Sequence, residues 1–217
     1  MPPEYNHRQE DATVRPAAAR PVGRPRNPEL DQAILAAAEQ QLREAGYAGM
    51  SLESVAAAAG TTVPAVRRRF SSKAGLAVAV IDSLRVESMP AESGPPRSRA
   101  LAVLRNFRAN LLRSNSMAVA GTLLAEEHRH PELLAAFRSR LAEPRRAALR
   151  RAVAEGISSG ELPDSADPDV LASMLIGSFY ARYIATSDIP DDWAEQTLRQ
   201  VWPDARRARP RVQAHPG

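Results

Sequence analysis

The chain has 217 residues, 44% of them apolar, no cysteine and a formal net charge of +4. Without cysteine there is no disulfide framework, thiolate metal site or cysteine nucleophile, and no apolar run approaches the roughly 20 residues that span a bilayer. Abundant Ala, Leu, Arg and Glu beside only 5% aromatic residues favour helices over sheets, so the expectation is an all-α, cytoplasmic protein with no membrane partner.

Charge is more informative by position than in total. Residues 12–28 carry Arg15, Arg20, Arg24 and Arg26 with no acid, and 67–73 carry Arg67, Arg68, Arg69 and Lys73 with none. From 97 to 151 there are twelve arginines against four acids, whereas 152–203 holds two arginines against nine acids. Basic stretches of this kind point to a polyanion such as nucleic acid, or else to solvated helix faces.

Six prolines fall in the first 28 residues without any hydrophobic period, which predicts a disordered basic arm over 1–28. The stripe Leu30, Ile34, Ala37, Ala38 and Ala45 makes a first amphipathic helix ending near Gly46. Ser51 caps a second, with Leu52, Val55, Ala56 and Ala59 on one face and Gly60 at its end. A short helix over about 63–70 follows Thr62, and Ser71 or Ser72 caps a fourth carrying Leu76, Val80, Ile81 and Leu84.

Residues 89–98 hold three prolines and a glycine and read as a linker. Beyond it, helices are expected over about 99–114, 117–129 and 131–142. Pro144 then starts another that stops at Gly160, and Asp167-Pro168 caps a long one reaching about Thr186. The long helix is apolar almost all round and must be covered on every side. A last helix carries Trp193, Leu198, Val201 and Trp202, before a disordered tail over 204–217.

The two helices joined at Gly60 fit a helix-turn-helix, in which the second helix enters a major groove of double-stranded DNA. Val66 and Phe70, four apart, face the core. That leaves Thr61, Thr62, Pro64, Ala65, Arg67 and Arg68 outward, where arginine can fork onto guanine and small apolar groups can meet a thymine methyl.

The run GYAGMSLESVAAAAGTTVPAVRRRFSSKAGLAVAVIDSL resembles the DNA-binding domain of the TetR/AcrR family of transcriptional regulators. The likeness is carried by Gly46, the Ser51 cap, Ala59-Gly60 at the turn, Phe70, Ser72-Lys73 and Leu76. Arg67 departs from the family's usual aromatic residue. The resemblance implies that Lys73 and the start of its helix hold the DNA backbone, which suits an ammonium at a helix N-terminus. VGRPRNPE resembles the arm that often precedes such domains, where Arg24 and Arg26 can enter a minor groove. The candidate DNA contacts are therefore Arg24, Arg26, Ser51, Thr61, Thr62, Val63, Pro64, Ala65, Arg67, Arg68 and Lys73.

The fold class so implied is an N-terminal three-helix helix-turn-helix domain over 29–88, joined to a larger helical dimerisation and effector-binding domain over 97–203. The resemblance implies a homodimer built from the last two long helices, with Leu171, Met174, Gly177, Tyr180, Ile184, Trp193 and Leu198 at the interface. It also implies a pocket for an unidentified, largely apolar small-molecule effector, with Leu104, Phe107, Leu111, Met117, Leu123 and Phe179 as candidate lining or plain core. The function implied is a repressor that binds a pseudo-palindromic operator and is released by its effector. A DNA-binding protein without a ligand and a helical-bundle enzyme with a basic module stay open as alternatives.

Glu127 and His130 have the Glu-x-x-His spacing of bundle metal sites, beside Glu126 and His128, but no second such motif faces them. No nucleophile elbow, phosphate-binding glycine loop or dinucleotide fingerprint is present. No catalytic residue, metal or cofactor is expected.

Overall fold

The computed structural model describes residues 27–85, 88–113 and 116–203. The arm, with Arg24 and Arg26, and the tail over 204–217 lie outside the described residues, although α1 (Pro28–Glu44) already begins at the last residue assigned to the arm. Asn27 caps α1 by accepting from the Glu29 and Leu30 amides, and Pro28 stands where a helix needs no N–H. Ile34, Ala37, Ala38 and Leu42 are its buried positions; Ala45, expected on that stripe, is exposed.

A short helical turn, α2 (Gly46–Gly49), leads to α3 (Leu52–Ala58), α4 (Val63–Arg69) and α5 (Lys73–Ser83). The larger part comprises α6 (Pro96–Arg113), α7 (Ser116–Ala125), α8 (Pro131–Phe137), a π-helical turn (Arg138–Ala142), α9 (Glu143–Ser158), α10 (Pro168–Thr186) and α11 (Trp193–Val201). No strand occurs among the described residues, so the expected all-α class and two-part organisation hold.

Pro144 does not separate two helices as expected. The chain passes from α8 through the π turn straight into α9, with the Glu143 amide reaching back five residues to the Arg138 carbonyl. Proline offers no N–H to the carbonyl four residues before it. That carbonyl, on Arg140, instead accepts from Arg85 Nη2 at 2.8 Å, and the Arg140 side chain pairs with Asp82 of α5. One proline thus frees a backbone acceptor that ties the end of α5 to the larger part.

Two buried clusters form the interior. The first joins Ile34, Leu42, Val55, Val66, Leu76 and Ile81 to Val119 and Leu123 of α7 and Leu133 and Leu134 of α8. The second gathers Leu104 and Phe107 of α6, Leu149 and Val153 of α9, Leu175 and Phe179 of α10, and Trp193, Leu198 and Trp202. Within it the Phe179 ring meets Phe107 and Trp193 edge-on, each with centroids 5.3 Å apart.

The uneven charge finds its balance between helices. Arg99 pairs with Glu155, Arg105 with Glu195, Arg108 with Asp191, and Arg146 and Arg150 both with Asp169. Basic α6 and the start of α9 are thereby matched by acids that lie later in the chain. Hydrogen bonds from Arg150 and Arg146 hold the Asp169 carboxyl below its usual range.

Candidate functional site

The helix-turn-helix is built by local signals. Ser51 accepts from the Ser54 amide at 3.0 Å while Ser54 Oγ accepts from the Ser51 amide at 3.2 Å, so both hydroxyls are committed to starting α3. The far end closes with the Thr61 amide on the Ala56 carbonyl and the Gly60 amide on the Ala57 carbonyl. Gly60 sits there at φ +63°, a left-handed conformation that strains residues with a side chain.

On α4, Val66 is fully buried and Pro64, Arg67 and Arg68 are exposed, with Thr62 exposed beside them and Thr61 and Val63 half-buried. Ala65 is the correction: it is buried, because residues 65 and 66 both fall on the side of α4 that packs inward. Arg69, adjacent to two exposed arginines, turns back. Its Nε pairs with Asp31 of α1 and its Nη1 donates to the Ala65 carbonyl at 3.1 Å. Sequence reasoning passed over Arg69, yet its spacing of three from Val66 places it on the inner side.

Lys73 stands at the start of α5, which Ser72 caps by accepting from the Gly75 amide. Its Nζ donates to the Ala48 carbonyl at 3.3 Å and lies 4.4 Å from the centre of the Tyr47 ring. The ammonium is therefore anchored to the turn between α1 and α3, on the protein side of any phosphate it would meet.

A cavity of about 440 Å³ opens where the two buried clusters meet. Leu84, Phe137 and Leu141 come to it from the first cluster, and Phe107, Leu111, Ile176 and Tyr180 from the second. Of the six apolar residues expected to line a pocket, Phe107 and Leu111 do so. Leu104 and Phe179 are fully buried in the second cluster, Met117 packs against it, and Leu123 belongs to the first cluster. In sequence a pocket wall and a core residue carry the same apolar signature.

Polar groups also face the cavity: Asn110, Ser116, Tyr180, Arg138, Glu143, Arg145 and Arg146. Arg138, Glu143 and Arg146 are paired with Glu127, Arg150 and Asp169. Arg145 is only 6% exposed, its Nη1 donates to the Leu141 carbonyl at 2.7 Å, and its buried Nε has no hydrogen-bond partner among the described residues. Burial, then the like charge of Arg85, pulls the Arg145 pKa down, opposed by the nearby Tyr180 hydroxyl. Burial pushes the Tyr180 hydroxyl up, and Arg145 works against that rise.

The expected dimer residues divide. Met174 and Ile184 are exposed by 55% and 81%, and Gly177, Tyr180 and Leu171 are half-buried, the first two beside the cavity. Trp193 and Leu198 are corrections: both are buried within the chain's own second cluster and have no surface to offer a partner. Val170 and Ala181, not singled out from the sequence, are exposed with Met174 and Ile184, and with half-buried Gly177 between them they complete an apolar row at 170, 174, 177, 181 and 184. Its alternating steps of four and three were readable as a helix seam.

No helix among the described residues is long and apolar enough to cross a membrane. Residues 34–80 match the family described as bacterial regulatory proteins, tetR family, and residues 90–201 match the tetracyclin repressor-like C-terminal domain. The HTH-type transcriptional regulator YdeS of Bacillus subtilis is 25% identical over 170 residues, covering 78% of this chain and 86% of that protein. Among solved structures, a linker-substituted HlyIIR mutant has a TM-score of 0.66 at 16% identity, over 82% of this chain and 99% of that one. The flavonoid-responsive regulator FrrA has a TM-score of 0.60 at 21% identity, over 79% and 92%. With a helix-turn-helix of this geometry and both family domains matched in order, the chain belongs to the TetR family of DNA-binding transcriptional regulators.

Proposed function

We propose that this regulator is a ligand-responsive repressor. Two copies join through the exposed row on α10 and present two α4 helices to a pseudo-palindromic operator. A small, largely apolar effector in the cavity releases the DNA. Thr61, Thr62, Val63, Pro64, Arg67 and Arg68 meet the groove, Lys73 and the start of α5 meet phosphate, and Arg24 and Arg26 of the arm reach the minor groove.

The observation that carries this reading is the make-up of the cavity wall. Leu84, next after α5, forms part of it together with residues of α6, the π turn, α9 and α10. Only three residues separate α4 from α5, so a shift felt at Leu84 is carried by one helix to the reading surface. The Arg85 and Arg140 ties described above bind the same end of α5 to the π turn that forms another part of the wall. An effector acts through this joint by preferring one of its two arrangements. FrrA, similar in fold, is flavonoid-responsive as its name says, which supports a small organic effector.

The test is fluorescence anisotropy at near-physiological salt with DNA flanking the protein's own gene. We expect a preference of about a thousand-fold or more over unrelated DNA; equal, weak binding to both removes the operator reading. Two neighbouring arginines sharpen it. Arg68→Ala is expected to weaken specific binding about tenfold or more with thermal stability unchanged. Arg69→Ala is expected to lower stability by about 1 kcal/mol, because it removes a half-buried ion pair and hydrogen bond. The reverse pattern would exchange their roles.

A further inference from the structure

The same cavity carries information about the head group of whatever fills it, an inference that rests on the effector reading above. Arg145 is a buried guanidinium in a mainly apolar cavity. Among the described residues no carboxylate pairs with it, while every other arginine on the wall has one. The groups that face it electrostatically are a second cation, Arg85, and the Tyr180 hydroxyl. Guanidinium keeps its charge in a protein, and a buried charge without an opposite partner is unfavourable. Its Leu141 hydrogen bond uses one of five N–H groups, and the buried Nε–H has no acceptor among the described residues.

We propose that the cavity binds a small amphipathic monoanion, in which an apolar body ends in a carboxylate held by Arg145 and the Tyr180 hydroxyl. Phe107, Leu111, Phe137, Leu141 and Ile176 receive the body. Among the described residues the wall carries one carboxylate, Glu143, and Arg150 holds it at 2.9 Å, which moderates its repulsion of an incoming anion. The head also lessens the repulsion between Arg145 and Arg85, and Arg85 is the residue that grips the Arg140 carbonyl beyond α5. The chemistry that makes the site selective thus acts at the joint between the two parts.

Three probes with one body and different heads test this by isothermal titration calorimetry on the full chain, below their aggregation concentrations: decanoate, decanol and decylamine. Decanoate is expected to bind at least about tenfold more tightly than decanol, the scale of a charged hydrogen bond, and decylamine more weakly than either. In Arg145→Gln the acid is expected to fall to the level of the alcohol, with the alcohol unchanged, while Arg146→Gln keeps the preference. Equal affinity of acid and alcohol for the unaltered protein overturns the anion assignment and leaves the effector reading in place. An acid preference that survives in Arg145→Gln also overturns it. Failure of all three probes to bind overturns both readings. The comparison of heads on the unaltered protein decides the matter even if Arg145→Gln does not fold.

Discussion

Gly156→Ala is expected to cost the intact chain about 1–3 kcal/mol of stability, and to cost nothing or to stabilise once Trp202 is alanine. A Cβ built on Gly156 comes within 2.4 Å of the Cζ2 and Cη2 atoms of the Trp202 indole and 3.3 Å of a Leu162 methyl. The indole cannot swing aside: Trp202 is fully buried, and Arg97 Nε holds its carbonyl at 3.0 Å. Glycine at this helical position is therefore a packing requirement, retained against a helix propensity that favours alanine by up to about 1 kcal/mol.

Trp202→Ala alone is expected to cost about 3–5 kcal/mol, the range for emptying a large aromatic site. With the ring gone, the methyl at 156 has room and the propensity gain remains. Denaturant unfolding of the four proteins of the cycle checks the change of sign. An equal loss from Gly156→Ala in both backgrounds would show that the indole is not what excludes the side chain.

The second large effect is expected at the exposed row of α10. Ile184→Asp and Met174→Asp should each convert a dimer to a monomer in sedimentation at micromolar concentration, with operator affinity reduced about a hundredfold or more. Desolvation sets the size of the effect. Val170, Met174, Ala181 and Ile184 leave a continuous apolar row open in the single chain, and a carboxylate closed into such a seam without a partner is strongly unfavourable. The fold of the protomer should be unaffected, because both side chains are exposed in it. An unchanged sedimentation coefficient in both variants would remove α10 from the interface. Carboxylates at 193 or 198 would not serve this test, since those positions lie inside the protomer.

Legibility in the sequence followed the range of the interactions involved. The Ser51 cap, the Gly60 turn, the Asp167-Pro168 start and, to within the choice of Ser71 or Ser72, the cap of α5 were all readable, because each involves atoms within a few residues of one another. Matters settled by a partner distant in the chain were less legible. Trp193 and Leu198 carry an apolar stripe that fits the interior or a second copy equally well, and only the packing of α11 against α6 and α10 decides it.

Arg145 looked like one more cation in a basic stretch of twelve. Its burial depends on the cavity formed between α6, the π turn and α10. The acids that balance α6 and α9 are likewise 23 to 90 residues distant in the chain for Arg146–Asp169 and Arg105–Glu195. Composition revealed the two opposite charge blocks but not that they face each other.

The two buried clusters have a consequence for cooperativity. Segments with separate interiors tend to open as separate units, yet here the first interior borrows Val119, Leu123, Leu133 and Leu134 from the larger part. The cavity is the gap at the joint between these units. An occupant touching both walls binds only when both are folded and docked, so it acts as mortar at the joint. At a hundred times its Kd it adds about 2.7 kcal/mol to the docked arrangement and nothing to either unit alone. Melting behaviour and DNA affinity would then respond to one and the same free energy.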